Sequence, residues 1–282
     1  MNLSKTQKRI AIICCLVFLF MIYVVANEFD SFDPPAVPRQ DMTEVLKKDF
    51  FTEEDYSFLL EQTGLGKPAI DELKATSEHF EEEMASFQEQ YFAPVQFRSI
   101  YVFPTTKEER LVNSDGSKRL LKFAPVKNGD IVVTKGTHTL SWRHGHAAIV
   151  TNAEANETIE HVLLGQLSSF QTVDKWRGYP SVLILRLKNS DEVLQNEIAV
   201  YAKEHLAGIP YSPFVGLKRK DKSGMDRIDS TQCAHLVWQV YQAFGVNTDS
   251  NHGWLVMPRD IANSEELELV QVFGFDPHDR WN

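Results

Sequence analysis

Residues Ile10 to Ala26 form an unbroken apolar run of 17 residues, and this run decides how the rest of the chain can fold. At the end of a chain it cannot be satisfied in water. Its length is near the lower limit for a membrane-spanning helix and slightly long for the core of a signal peptide. That length favours an uncleaved anchor over a cleaved signal, although Val24 and Ala26 would serve as the small residues of a cleavage site. Lys5, Lys8 and Arg9 precede the run, and Glu28, Asp30 and Asp33 follow it. Positive flanks stay in the cytoplasm. The expected topology is a cytoplasmic N-terminus over 1–9, a transmembrane signal anchor over 10–26, and everything after Glu28 outside the cell or, if the segment is cleaved, secreted. Ala11-Ile12-Ile13-Cys14 is a poor lipoprotein signal, because Ile12 and Ile13 are not small.

An exported chain is exposed to oxidation, so its cysteines carry information. Cys14 and Cys15 belong to the apolar run, which leaves Cys233 as the single cysteine of the body. No disulfide can form within the body. A leftover cysteine in an exported protein is either intermolecular or a reactive thiol. The formal charge is −10, and three of the positive residues precede the apolar run, so the remainder carries −13. An acidic body argues against nucleic acid as a partner.

Beyond the run, Pro34, Pro35 and Pro38 mark an extended linker over 27–41. A helical appendage is expected over 42–96. Thr52 ahead of Glu53, Glu54 and Asp55 signals a helix start, Gly64 a stop, and Pro68 the opening of a further helix. Ile70, Leu73, Phe80, Met84, Phe87 and Tyr91 supply its apolar stripe. From 97 to 282 the pattern changes to strands, predicted near Phe97–Phe103, Ile131–Thr134, His146–Thr151, Thr158–Leu163, Val182–Leu187 and Leu267–Phe273. Asn113-Ser114-Asp115-Gly116 reads as a turn. A helix capped by Ser190 runs to about Leu206 and closes at Gly208. Neither internal repeats nor low-complexity segments occur. The order implies an α+β fold with a mainly antiparallel sheet.

The stretch Asp229-Ser230-Thr231-Gln232-Cys233-Ala234-His235-Leu236-Val237-Trp238 opens a second amphipathic helix. Ser230 or Thr231 would cap it, Leu236, Val237, Val240, Tyr241 and Phe244 recur at helical spacing, and Gly245 stops it. Cys233 then lies in the first turn, where the partial positive charge of the helix end favours a thiolate. The competing reading is a small buried hydrophobe. A nucleophile needs a base, and the base needs an orienting partner. In Gly145-His146-Ala147-Ala148-Ile149-Val150, strand alternation puts His146 on one face with Ala148 and Val150. The next strand offers Thr158 and Glu160 on one face, Ile159 and His161 on the other, and one of these would orient His146. His144-x-His146 and Cys233-x-His235 are weak as metal motifs, since residues two apart in a helix do not face each other. Signatures of serine hydrolases, P-loops and dinucleotide-binding folds do not occur. No metal and no cofactor is expected.

Gly129-Asp130-Ile131-Val132-Val133, Gly145-His146-Ala147-Ala148-Ile149-Val150, Thr158-Ile159-Glu160 and Gln232-Cys233-Ala234-His235-Leu236-Val237-Trp238, in that order, resemble the circularly permuted, YiiX-like branch of the NlpC/p60-type cysteine peptidases. In that branch the histidine strand precedes the cysteine helix. Ala207-Gly208-Ile209-Pro210-Tyr211-Ser212 is similar to the tyrosine-bearing segment ahead of the cysteine. The resemblance covers about Val126 to Gly274. It implies a permuted papain-like fold, with Cys233 as nucleophile, His146 as general base and then acid, and Glu160 as the orienting residue. Tyr211 and Gln232 become oxyanion or substrate contacts. Its expected activity is hydrolysis of an amide bond, foremost in cell-wall peptide. One departure bears on substrate: wall peptidases of the unpermuted type carry Asp-Cys-Ser, whereas this chain has Gln232-Cys233-Ala234. Lipid acyl or amide hydrolysis or acyl transfer, found in the permuted branch, is the enzymatic alternative. A non-catalytic, membrane-tethered binding module is the alternative outside enzymology.

Overall fold

The structure is a computed structural model that describes residues 4–27, 31–140, 142–213, 215 and 229–281, without the side chains of 24–27. Glu28 and Asp30, the first acidic residues after the apolar run, lie outside the described residues. The protein is α+β with antiparallel sheets, as the order of elements implied.

The apolar run is helical within α1 (Lys5–Asn27), a helix long and apolar enough to span a membrane or to serve as a signal sequence, and none of that stretch is buried. Residues 31–42 follow without regular structure, and then come α2 (Thr43–Leu46), α3 (Glu53–Thr63), α4 (Lys67–Thr76) and α5 (Phe80–Phe92). Thr52 caps α3 in a capping box with Asp55, and Gly64 ends the helix with φ +71°, a conformation that is costly for side chains with a Cβ. Pro68 sits in the first turn of α4.

The strands are β1 (Phe97–Phe103), β2 (Thr106–Leu111), β3 (Ile131–Thr134), β4 (Thr137–Thr139), β5 (Trp142–Arg143), β6 (His146–Asn152), β7 (Glu157–Glu160) and β8 (Ser169–Thr172). A short α6 (Val173–Trp176) is followed by β9 (Val182–Leu187), α7 (Glu192–Leu206), α8 (Cys233–Ala243), α9 (Pro258–Ala262) and β10 (Leu267–Phe273). Six strands form one sheet in the order β10-β9-β3-β6-β7-β8, and four form a smaller sheet in the order β1-β2-β4-β5.

Alternation gives the large sheet two apolar faces. Ile131, Val133, Ala147, Ile149, Leu183 and Leu185 pack with α7 and α8. Val132, Ala148, Val182, Ile184 and Val270 pack with Leu59, Ile70, Met84 and Phe87 of the helical region. Helices 3 to 5 therefore form a layer of the same packed body.

Several local expectations change. The strand expected over Thr158–Leu163 ends at Glu160, and β2, β4, β5 and β8 had no predicted counterpart. β2 reads Thr-Lys-Glu-Glu-Arg-Leu, with Glu108 and Glu109 buried. Arg143 neutralises Glu109 through two contacts of 2.9 Å, so charge pairing replaces the apolar alternation that marks a strand in sequence. The cap of α7 is Asp191, not Ser190. The cap of α8 is Gln232, because Thr231 is held extended by backbone bonds to Pro210 and Ser212.

Candidate active site

Three elements bring the site together. Gln232 and Cys233 open α8, His146 opens β6, and Glu160 closes β7. Glu160 pairs with Ala148 in the β6–β7 ladder, so it lies on the same face as His146, one position along. Its Oε2 is 2.5 Å from His146 Nε2. Cys233, at the start of α8, is the other group that acts on the imidazole. Cys233, His146 and Glu160 are all buried.

Of the three residues open for the orienting role, Glu160 touches the ring. Thr158 Oγ1 lies 3.5 Å from Glu160 Oε1, behind the carboxylate. His161 follows the strand end, holds the Gln166 carbonyl through Nε2 at 3.0 Å and meets the Tyr211 ring edge-on at 4.8 Å.

Two residues with no motif to announce them complete the surroundings. Lys175 Nζ is 2.7 Å from the same Glu160 oxygen and 3.9 Å from Glu108 of β2. Trp176 stacks on the His146 ring with centroids 5.2 Å apart and planes 5° from parallel. Arg110 in turn pairs with Glu108 and donates to the Lys175 carbonyl. A chain of alternating charge thus runs from the small sheet to the imidazole.

These contacts set the protonation states. Burial pushes the Glu160 carboxyl up, but the Lys175 charge and then His146 outweigh it and bring it down to about 2. Burial alone would push His146 down, yet the bonds to Cys233 and Glu160 and their negative charge lift it to about 9. A buried imidazole is thereby held ready to exist as imidazolium beside a sulfur.

Gln232 is occupied at both ends. Its Oε1 accepts from Ala234 N at 3.0 Å and lies 3.4 Å from Cys233 Sγ, while Nε2 donates to the Val256 carbonyl. An N–H at one end and a carbonyl at the other fix the amide orientation. The side chain works as a helix cap and loop tether, with one of its two amide N–H groups given to Val256. Tyr211 forms a parallel bridge with Thr231, and burial followed by the Cys233 charge pushes its hydroxyl pKa up.

The remaining motif residues have structural partners. Asp130 takes both arms of Arg186 at 2.8 Å. His144 Nδ1 bonds the Gly145 carbonyl at 2.7 Å, its Nε2 lies 3.0 Å from Thr139 Oγ1, and burial pushes its pKa down to about 4. His235 Nδ1 is 3.3 Å from Thr231 Oγ1.

A scan against protein-family models finds no matching family, and searches of curated proteins and of solved structures find no match.

Proposed function

We propose that this protein is an extracytoplasmic, membrane-anchored cysteine hydrolase with a permuted papain-like arrangement of its catalytic groups. The observation that carries the proposal is the buried series Glu160–His146–Cys233, with a helix N-terminus under the sulfur. In the reading, Cys233 sulfur attacks a carbonyl carbon while His146 holds the proton. The tetrahedral oxyanion lies near the backbone N–H of Cys233, one of the donors that a helix start leaves unpaired. His146 then gives its proton to the departing amine, leaving a thioester. Water, deprotonated by His146, attacks that thioester and releases the acid and the free thiol. Glu160 keeps Nε2 engaged, and it stabilises the imidazolium.

The amide of a cell-wall peptide is the foremost substrate class, from the resemblance of the four motifs. Lys5, Lys8 and Arg9 ahead of α1 favour a cytoplasmic N-terminus and an exterior body. The test is incubation of the full chain with wall fragments and, separately, with acyl lipids, beside Cys233→Ala, followed by mass spectrometry. A cleaved amide that depends on Cys233 is the expected product. An acyl-lipid product alone would move the substrate to lipid. Products unchanged by Cys233→Ala, or none from either source, would overturn the hydrolase reading.

A further inference from the structure

The two hairpin tips of the small sheet lie at one end of it. Thr106 pairs with Thr139, and the Leu140 N–H donates to the Thr105 carbonyl. The β1–β2 turn and the β4–β5 turn are therefore neighbours. Together they present Phe103, Pro104, Leu140 and Trp142 to the outside, with Leu140 71% exposed and Phe103 43% exposed. Tyr101, 69% exposed, follows along the edge strand with Lys107 over its ring at 5.0 Å. Burying such side chains would be favourable, and leaving them in water needs a reason.

Charge and connection indicate what covers them. From Phe97 to Lys107 and from Lys135 to Ala147 there is no acidic residue, in a body whose formal charge is −13 after the three N-terminal cations are set aside. Arg98 and Lys107 lie on the β1–β2 hairpin. Three residues separate α1 from Ser31, a reach of about 15 Å over four Cα steps. The chain then enters the body at a fixed point: Asp33 pairs with Lys135 at 2.6 Å, and its N–H bonds the Gly274 carbonyl. Lys135 is five residues from Leu140, about 17 Å when extended. α1 and β5 come close to each other.

We propose that the paired tips, carrying Phe103 and Pro104 on one side and Leu140 and Trp142 on the other, dock into the headgroup–acyl boundary of an anionic bilayer. The proposal rests on the reading of α1 as a membrane anchor. Tryptophan and tyrosine suit this boundary, with an apolar ring and one polar atom, and the basic residues meet the anionic headgroups. His146 pairs with Thr134 at the Lys135 end of the large sheet, so docking turns the reacting end of the sheet toward the bilayer.

The test uses the full chain in vesicles of phosphatidylcholine and phosphatidylglycerol. A phosphatidylcholine with a diazirine near the carboxyl end of one acyl chain is added, and adducts are mapped by mass spectrometry after irradiation. Val193 is the internal reference: it is 65% exposed and lies in the first turn of α7, whose Gln195 abuts Gly129 at the opposite end of β3. Adducts on 10–26 and on Phe103, Leu140 and Trp142, well above Val193, are expected. Leu140→Asp with Trp142→Asp should bring the tips down to the Val193 level and leave the adducts on 10–26 in place. Adducts on 10–26 with tips no higher than Val193 would overturn the docking alone, as would tip cross-links to a second copy of the chain. Absence of adducts on 10–26 would overturn the anchor and the docking together.

Discussion

At the scale of the residue, the decisive feature is that one carboxylate oxygen serves two cations. Glu160 Oε2 holds His146 at 2.5 Å and Lys175 at 2.7 Å. Burying a carboxylate is expensive without such partners. Glu160→Gln keeps the volume and an acceptor but removes the charge that favours imidazolium. The rate of Cys233 alkylation by iodoacetamide near neutral pH, read on the Cys233 peptide, should fall roughly tenfold or more. His146→Ala should fall at least as far. Unchanged alkylation in both variants would mean that the ring does not activate the sulfur. Thr158 and His161 serve as controls, since neither touches the imidazole in the way Glu160 does.

At the scale of the element, α8 begins where it does because of a glutamine, an unusual cap. Ser, Thr, Asp and Asn lead at this position because their short side chains reach back to the first N–H groups. Gln232 does so with a longer arm because its other end is tied to Val256. Gln232→Ala should lose about 1 kcal/mol of capping and leave a buried carbonyl unsatisfied, at about 1–3 kcal/mol. Urea unfolding of the variant should show a loss of about 2–4 kcal/mol, the sum of those two costs. A loss under about 0.5 kcal/mol, the range of ordinary surface substitutions, would show that neither contact holds the helix start.

At the scale of the whole molecule, buried titratable groups shape the dependence of stability on pH. His144 has its folded pKa lowered from 6.5 to about 4, so the unfolded chain binds its proton first, and stability is lost as pH falls from about 6.5 to 4. Glu160 is lowered from 4.5 to about 2, and its contribution, full above 4.5, is lost between 4.5 and 2. His146 is raised from 6.5 to about 9; its contribution is full below 6.5 and is lost as pH rises through 9. Stability should therefore peak near pH 6.5. One histidine contributes a slope of at most about 1.4 kcal/mol per pH unit. His144→Asn should flatten the acid limb between pH 6.5 and 4 and leave the alkaline limb in place. Denaturant titrations across pH would read this, and an unchanged acid limb would reject the assignment.

What the sequence determined by itself is whatever depends on neighbours along the chain. The apolar run, the Thr52 cap, the Gly64 and Gly245 stops and four strands with their bounds were legible, because hydrophobic period and turn chemistry are local. So was the order of a histidine strand ahead of a cysteine helix. Tertiary structure alone decided the partners. Lys175 and Trp176 lie in a four-residue helix with no motif, and they matter because the chain returns them to β6 and β7. The strand β2 escaped because buried glutamates paired with arginines carry no apolar alternation. The role of Gln232 escaped because the carbonyl that completes it lies 24 residues further on. Electrostatic pairing and hydrogen bonding act through space, so their partners cannot be read from spacing along a chain.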